Sequence, residues 1–325
     1  MPKKTTTSNN QQIPKWVMPY NEVIGIYDSR AKKVMLIEDY GPQNGIFIEG
    51  WRAYHFPRTS PLVEKSYREG GKSIFIINQG KTKLNLIPSF APIGISKCQV
   101  KNNQIYITYE GYGGGGVSAA YSRGLSKGVI KSKTIQSGGG KKLGSGQIVL
   151  PIWKMLLVGI DDTDNEKEGA TYALAHNIAT EIENQKSIRY LIHGNIQLYP
   201  YNPYKTSNCF STVIGFLYRT AEDKDKIIKY FRSSLQQYTL SQETAMVIYD
   251  GFYVPRKIRD LASALKFHFF DDIKYIKKIT QDNHLEIYPI TGQRGIIGAC
   301  AAIGLYDLPD FASGFPENYM SPRGI

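Results

Sequence analysis

Leu156–Ile182 reads LLVGIDDTDNEKEGATYALAHNIATEI, and how this stretch is read decides the fold. An apolar run, Leu156 to Ile160, delivers Asp161, Asp162 and Asp164 into one short turn. Past Gly169 the apolar residues Ala170, Leu174, Ala175, Ile178 and Ile182 recur at helical spacing. The pattern predicts a strand over Lys154–Asp161, an acidic turn, and a helix from about Ala170 to Asn184. Carboxylates this close repel one another unless a positive charge sits among them. Magnesium takes hard oxygen ligands, usually one or two carboxylates completed by phosphate oxygens and water. The turn is therefore a candidate Mg2+ and nucleotide site, although an acidic loop can also simply cap a helix. It does not fit a calcium-binding EF-hand: counted from Asp162, the sixth position is Lys167 and the twelfth Ala173.

Outward from this stretch, Ser211–Tyr218 and Ala245–Tyr253 read as strands, with DKDKIIKYFRSSLQQY (residues 223–238) as a helix between them. PRKIRDLASALKF opens with Pro255, suited to a first helical turn. Arg294–Asp307 reads as a helix of small residues built for close packing. Strands alternating with helices predict an α/β layer, with the carboxylates beyond the carboxyl end of a strand, where open α/β sheets bind ligands. The chain before it is different. EVIGIYDS, KVMLIEDY, GIFIEGWRAYHF, KSIFIINQG and QIYITYEG are β-branched and aromatic runs punctuated by Gly, Pro and Asn. Two glycine-rich stretches follow, GYGGGGVSAAYSRGLSKGVI and QSGGGKKLGSGQ, and the second reads as a linker. The expectation is α+β overall: a disordered tail at 1–15, a β-rich basic domain at 16–146, and an α/β nucleotide-binding domain at 147–325.

A chain of 325 residues suffices for two such cores. No apolar stretch approaches the roughly 18–20 residues of a membrane span, and the polar opening lacks a signal core. Cys98, Cys209 and Cys300 form no CxxC pair, so neither a disulfide framework nor a cysteine zinc site is expected, and the cytoplasm is the default. The net charge is uneven. Residues 1–150 carry 21 Lys+Arg against 8 Asp+Glu, a net of +13, whereas 151–325 carry 19 against 20, a net of −1. The first half therefore suits an anionic partner, protein or RNA. No arginine-rich or aromatic-interleaved motif is evident, and neither DNA nor a membrane is expected as a partner.

Three further places bear chemistry. In YPYNPYKTSNC, Lys205 and Thr206 offer a charge and a hydroxyl to a phosphate. The loop lacks the preceding GxxxxG of a Walker A motif, and the same composition makes ordinary turns. In TGQRGIIGACAAIG, Arg294 and Gly295 open a helix whose free amides and dipole would attract an anion, while Gly298 suits packing. In GYGGGG, Gly113 and Gly114 form a candidate anion-binding turn helped by Arg123 and Lys127. The acid that a dinucleotide fold requires some 20 residues later is missing. The five histidines are scattered without a metal spacing.

GIDDTDNEKEGAT, NPYKTSN and RGIIGACAAIG, in that order over residues 154–306, resemble the kinase-like catalytic domain of archaeal isoleucine-tRNA agmatidine synthases. Those enzymes use ATP to activate a cytidine and join agmatine to it. The resemblance implies Mg2+ and ATP at Asp161, Asp162 and Asp164, with Lys205 and Thr206 in the nucleotide loop. There the motif stands near the amino terminus and is followed by tRNA-gripping modules; here about 150 residues precede it, and no cysteine-paired ribbon is present. With GGGGVSAAYSRG and SGGGKKLGSG before GIDDTD, the whole chain is similar to methanogenesis marker protein 11, which implies a methanogenic archaeon.

The expectation is an enzyme using ATP and Mg2+ for phosphoryl or nucleotidyl transfer or ligation. Asp161, Asp162 and Asp164 would be the metal ligands. Lys205 would supply phosphate charge, and Thr163, Gly169, Thr206, Arg294, Gly295, Gly113 and Gly114 would contact the nucleotide. A nucleotide-binding assembly factor and an agmatidine-synthase-like tRNA-modifying enzyme are the alternatives.

Overall fold

The computed structural model describes residues 13–314, except Trp16, Pro19, 42–49, 184–186 and Ser207. The tail expected at 1–15 therefore lies mostly outside the described residues. The chain divides into two compact units, one of residues 1–25 and 34–151, the other of 26–33 and 152–325. Three antiparallel sheets and eight helices make a mixed α/β protein among the described residues.

The first part of the chain runs β1 (Glu22–Asp28), β2 (Lys33–Asp39), α1 (Trp51–Thr59), β3 (Val63–Glu69), β4 (Lys72–Asn78) and β5 (Gly80–Lys81). It continues through β6 (Ile93–Lys101), β7 (Gln104–Gly111), α2 (Gly115–Gly124), β8 (Lys131–Gln136) and β9 (Gly144–Pro151). The sheets have the orders β1-β2-β4-β3 and β5-β6-β7-β9-β8. A Cβ added at Gly25 would lie 2.8 Å from Ile105 Cδ1, so this strand lies directly on the apolar face of the other sheet. Val23, Leu36, Ile77, Ile105, Ile107 and Leu150 fill the space between, all without exposure. Within this core Arg123 of α2 makes a bidentate pair with Glu38, at 2.5 and 2.7 Å. Its guanidinium lies 4.7 and 4.5 Å from the ring centres of Tyr20 and Tyr109. Burying such a pair is costly unless both ions are fully engaged, and removing one partner would strand the other.

Several expectations change here. GIFIEGWRAYHF is not a strand over its described part: Trp51–Phe56 begin α1, and residues 45–49 lie outside the described residues. Glycine read as looseness proves to be close packing. Gly144–Gln147 belong to β9, and a Cβ at Gly146 would stand 2.6 Å from Ala120 Cβ of α2. The linker reading fails because the helix rests on the strand's backbone. GGVSAAYSRG is α2, led in by Gly113 and Gly114 at φ 59° and 81°, which side chains rarely tolerate. Arg123 serves Glu38 and not an anion.

The second part runs β10 (Lys154–Asp161), α3 (Thr171–Glu183), β11 (Ile188–Gln197), β12 (Phe210–Tyr218), α4 (Ala221–Tyr238), β13 (Ala245–Asp250) and α5 (Arg256–Phe267). It ends with α6 (Ile273–Asp282), β14 (Glu286–Pro289), α7 (Gly295–Leu305) and α8 (Pro309–Ser313). The strands form one antiparallel sheet, β11-β12-β10-β13-β14. Among the described residues no helix is long and apolar enough to cross a membrane.

The central strand β10 is covered on both sides, which is why it reads as a continuous apolar run. Leu156, Val158 and Ile160 join Ala175, Ile178 and Ile182 of α3 and Ile227, Phe231 and Leu235 of α4 in one buried cluster. The other face meets α7. A Cβ at Gly159 would lie 2.0 Å from the carbonyl oxygen of Ala299, so only glycine admits the helix. Helix α4 starts with a capping box between Thr220 and Asp223. Burial alone would raise the Asp223 carboxyl, but hydrogen bonds from Ser187, Thr220 and Arg219 outweigh it and hold the pKa below the ordinary value.

Gly159→Ala therefore overpacks the β10–α7 contact and is expected to lower unfolding free energy by about 3 kcal/mol in chemical denaturation. Asp223→Asn removes a carboxylate whose folded pKa is depressed, so its stabilisation is present above about pH 4 and is lost as pH falls below it. The gap in melting temperature between wild type and Asp223→Asn is expected to be largest near neutral pH and to shrink on acidification.

Candidate functional site

A cleft of about 320 Å3, lined entirely by residues of the second unit, opens at the carboxyl end of β10. The sheet being antiparallel, this is the end at which β12 and β13 begin, so the loop leading into β12 and the segment leading into β13 also reach it. Asp161, Asp162 and Asp164 line it, with Gly169, Lys205, Thr206 and Arg294. Seven of the eleven residues singled out from sequence are thus brought together.

Asp161 ends β10 on the α7 side. A Cβ at Gly298 would stand 1.7 Å from Asp161 Oδ2, so this glycine of α7 makes room for the carboxylate. Burial first, then the charge of Asp162, pushes the Asp161 pKa well above the ordinary value. Asp162 sits at φ 56°, a left-handed conformation unusual for a residue with a side chain. Its carbonyl accepts a hydrogen bond from Thr244 Oγ1, and the next carbonyl, Thr163 O, accepts from Leu240 N at 2.9 Å. The segment entering β13 thus holds the turn in place. Asp162 is pushed up to about 6, by burial and by Asp164 and Glu243, against the opposing pull of Arg294. Asp164 faces the other way, accepting from Thr171 Oγ1 at 3.3 Å and Thr206 Oγ1 at 3.1 Å. A Cβ at Gly169 would lie 2.9 Å from that of Asp164, and φ there is 98°; both demand glycine.

Arg294 is the cation of the site. Its guanidinium lies 3.8 Å from the Tyr204 ring centre, a close cation–π contact. Its Nε is buried without a hydrogen-bond partner. Lys205 is exposed and its ammonium donates to Pro200 O at 2.6 Å. The amides at the start of α7 are occupied. Those of Gln293 and Arg294 donate to Glu243 Oε2, each at 3.0 Å, and that of Gly295 donates to Glu243 O at 3.0 Å. The amide bonds hold the Glu243 pKa below the ordinary value. The Gly295 amide expected to take an anion is thus already bonded, and Gly295 itself packs against Asp161 O. Thr163 is buried, donates to Thr171 Oγ1 at 3.0 Å, and does not line the cleft. Gly113 and Gly114 belong to the first unit and do not line it either.

Sequence reading missed Glu243, Thr244 and Thr171, which hold the turn, and the walls of the cleft. Tyr172, Tyr204, Phe210, Phe269 and Phe270 line it while each remains 38–52% exposed. Tyr204, Phe269 and Phe270, aromatic residues in loop-like stretches of sequence, were the available signal, whereas Tyr172 and Phe210 belong to α3 and β12. Among the described residues no three His, Cys, Asp or Glu side chains converge as a ready-made metal cage. Two half-buried carboxylates with raised pKa values, beside an orphaned guanidinium nitrogen, nevertheless fit a cation–phosphate pair. A cation would offset the mutual repulsion of Asp161 and Asp162, phosphate oxygens would complete its shell, and Arg294 Nε would gain an acceptor.

The sequence model described as the TiaS TCKD domain matches residues 157–221. The uncharacterized protein MJ0921 of Methanocaldococcus jannaschii is 39% identical over 286 residues, 88% of this chain and 93% of that one. Among solved structures, the complex of TiaS with its tRNA and ATP superposes with a TM-score of 0.41 at 20% identity. The complex of TiaS with tRNA, AMPCPP and agmatine gives 0.38 at 19%. Both matches cover 46% of this chain and 36% of the solved one, so the chain spans about a third of their length.

Gly298→Ala is expected to swing the Asp161 carboxylate out of position, since the side chain is the mobile party in that contact. Calorimetry should show at least a tenfold loss of Mg2+–nucleotide affinity, with circular dichroism of the folded protein unchanged.

Proposed function

The chain belongs to the family of the M. jannaschii protein MJ0921, and we propose that it binds ATP with Mg2+ in the β10 cleft and transfers a phosphoryl or nucleotidyl group to RNA. The observation that carries this is the meeting of Asp161, Asp162 and Arg294 at one strand end, where two desolvated carboxylates stand beside a buried guanidinium nitrogen that lacks an acceptor.

Each residue has a part. Asp161 and Asp162 hold the cation, and when bound Mg2+ neutralises phosphate charge and fixes the phosphates for in-line attack. Arg294 offers its guanidinium to a phosphoryl oxygen, held flat by Tyr204. Asp164, fixed by Thr171 and Thr206, orients the incoming hydroxyl and takes its proton as the new phosphorus–oxygen bond forms. The bond to the leaving group breaks, releasing ADP in phosphoryl transfer or pyrophosphate in nucleotidyl transfer. Lys205, free to leave Pro200 O, adds charge at the rim. The exposed aromatic walls offer apolar surface to the base of a nucleotide. RNA is favoured as acceptor because the matched domain model is that of TiaS and because residues 1–150 carry a net +13. The reading extends to the resemblance with methanogenesis marker protein 11, which rests on the two glycine-rich stretches before β10.

The test is titration calorimetry of ATP with and without Mg2+, on wild type and Asp161→Asn, followed by transfer of label from α- or γ-labelled ATP to RNA. Expected are Mg2+-dependent binding, a loss of at least tenfold in the variant, and label transfer by wild type alone. Equal binding by the two proteins would remove the cleft as the nucleotide site. Binding without transfer would leave a nucleotide-regulated assembly factor.

A further inference from the structure

The five-stranded sheet of the first unit has one face buried against the core and an opposite face rich in lysine. Directly paired residues in an antiparallel ladder project to the same side, and the sides alternate along each strand. The registers therefore set Lys81, Lys97, Thr108, Gln147 and Lys133 in one row across all five strands. The next row holds Gln99, Tyr106, Val149 and Lys131, and Lys101 follows beside Gln104. Ile105, Ile107, Ile148 and Leu150 point the opposite way into the core, on the side where α2 packs. The lysine side is the outer one: Lys81, Lys101, Lys131 and Lys133 are exposed, and Lys97 and Tyr106 are half-buried.

Like charges directly opposed across strands are destabilising, yet Lys81 faces Lys97. Among the described residues none of the five lysines makes an ion pair. The carboxylate on this face, Glu110, stands one row further on, between Gly94 and Ser145. Lysines on β5 and β8 would guard sheet edges in any protein. Lys97 is on β6 where β5 pairs with it, so no edge needs guarding there, while Lys101 lies beyond the reach of the two-residue β5. At the centre lies the Tyr106 ring, with Lys101 Nζ 4.8 Å from its centroid. Around it stand the half-buried amides of Gln99 and Gln104, with Tyr106 Oη donating to Gln104 Oε1 at 2.8 Å, whereas Thr108 and Gln147 in the neighbouring row are buried and bonded to each other at 3.0 Å.

We infer that this outer sheet face binds single-stranded RNA, its lysines taking phosphates and the Tyr106 ring stacking on a base. An acidic protein would satisfy the lysines but has no use for an aromatic platform flanked by amides, the combination that stacks on and hydrogen-bonds unpaired bases. The inference rests on RNA as the partner class and not on the chemistry of the cleft.

The test uses the full chain and a fluorescent oligouridylate of about 12 nucleotides, within the usual site size, titrated by anisotropy between about 50 and 200 mM salt. The double variant Lys97→Gln/Lys133→Gln is expected to bind about tenfold more weakly, with the log–log salt slope reduced by about 1.4, the loss of two single-strand phosphate contacts. Tyr106→Leu is expected to weaken binding about tenfold with the slope unchanged. Both should keep the wild-type circular dichroism and a melting temperature close to that of wild type, which shows that they are folded. Wild-type RNA affinity in both variants would overturn the inference. So would a deoxyoligonucleotide bound as tightly as RNA, or a polyglutamate peptide that displaces RNA at equal concentration. Asp161→Asn should retain RNA binding, so that failure of the cleft reading and failure of this one are told apart.

Discussion

Everything in the second unit depends on how closely α7 approaches β10. With no side chain at Gly159, the helix backbone settles on the strand itself, opposite Ala299 O. That contact fixes Gly298 against the Asp161 carboxylate and Gly295 against the Asp161 carbonyl. It also sets the helix start where Glu243 can engage three amides and where Arg294 turns toward the carboxylates. The small-residue composition of α7 is therefore more than tight packing; it determines where the charges of the cleft meet.

Each unit also contains an electrostatic demand, met in one and open in the other. In the first, the charge of Arg123 is answered by Glu38, and the pair sits between the rings of Tyr20 and Tyr109. In the second, Asp161 and Asp162 are desolvated, with Arg294 pulling the other way on Asp162. The closed pair belongs to a core, whereas the open set belongs to a cleft with room for a ligand.

The second unit is legible in the sequence because its elements are long and strongly patterned. β10 ends where the run Met155–Ile160 gives way to Asp161, and the period of Leu174, Ala175, Ile178 and Ile182 marks α3. Asp161, Asp162 and Asp164 are visible because carboxylates so close together stand out on any chain. Glu243 and Thr244 are not, since a lone acid and a lone threonine before a strand carry no pattern, and only tertiary structure brings them to the turn. The first unit is harder for a related reason. Glycine has two opposite uses, and the sequence does not distinguish a loose loop from a backbone pressed against a helix, as at Gly144 and Gly146. Helix α1 reads as a strand because Trp, Tyr, His and Phe suggest one when isolated, and packing on β3, β4 and β6 overrides that preference. The sheet's lysines enter a sequence reading as net charge only; their register, which places five on one face, is a property of strand pairing.

The double coverage of β10 has a consequence for motion. A central strand bonded on both edges and packed on both faces opens only when the whole unit does, so its amides exchange with solvent at the rate of global unfolding. The floor of the cleft is therefore rigid on the timescale of ligand exchange. The walls are not tied in this way: Tyr199–Thr206 and His268–Asp272 are loops that carry Tyr204, Lys205, Phe269 and Phe270 at the surface. Fit to differently shaped ligands is thus a property of the walls, while the positions of the carboxylates are set before any ligand arrives.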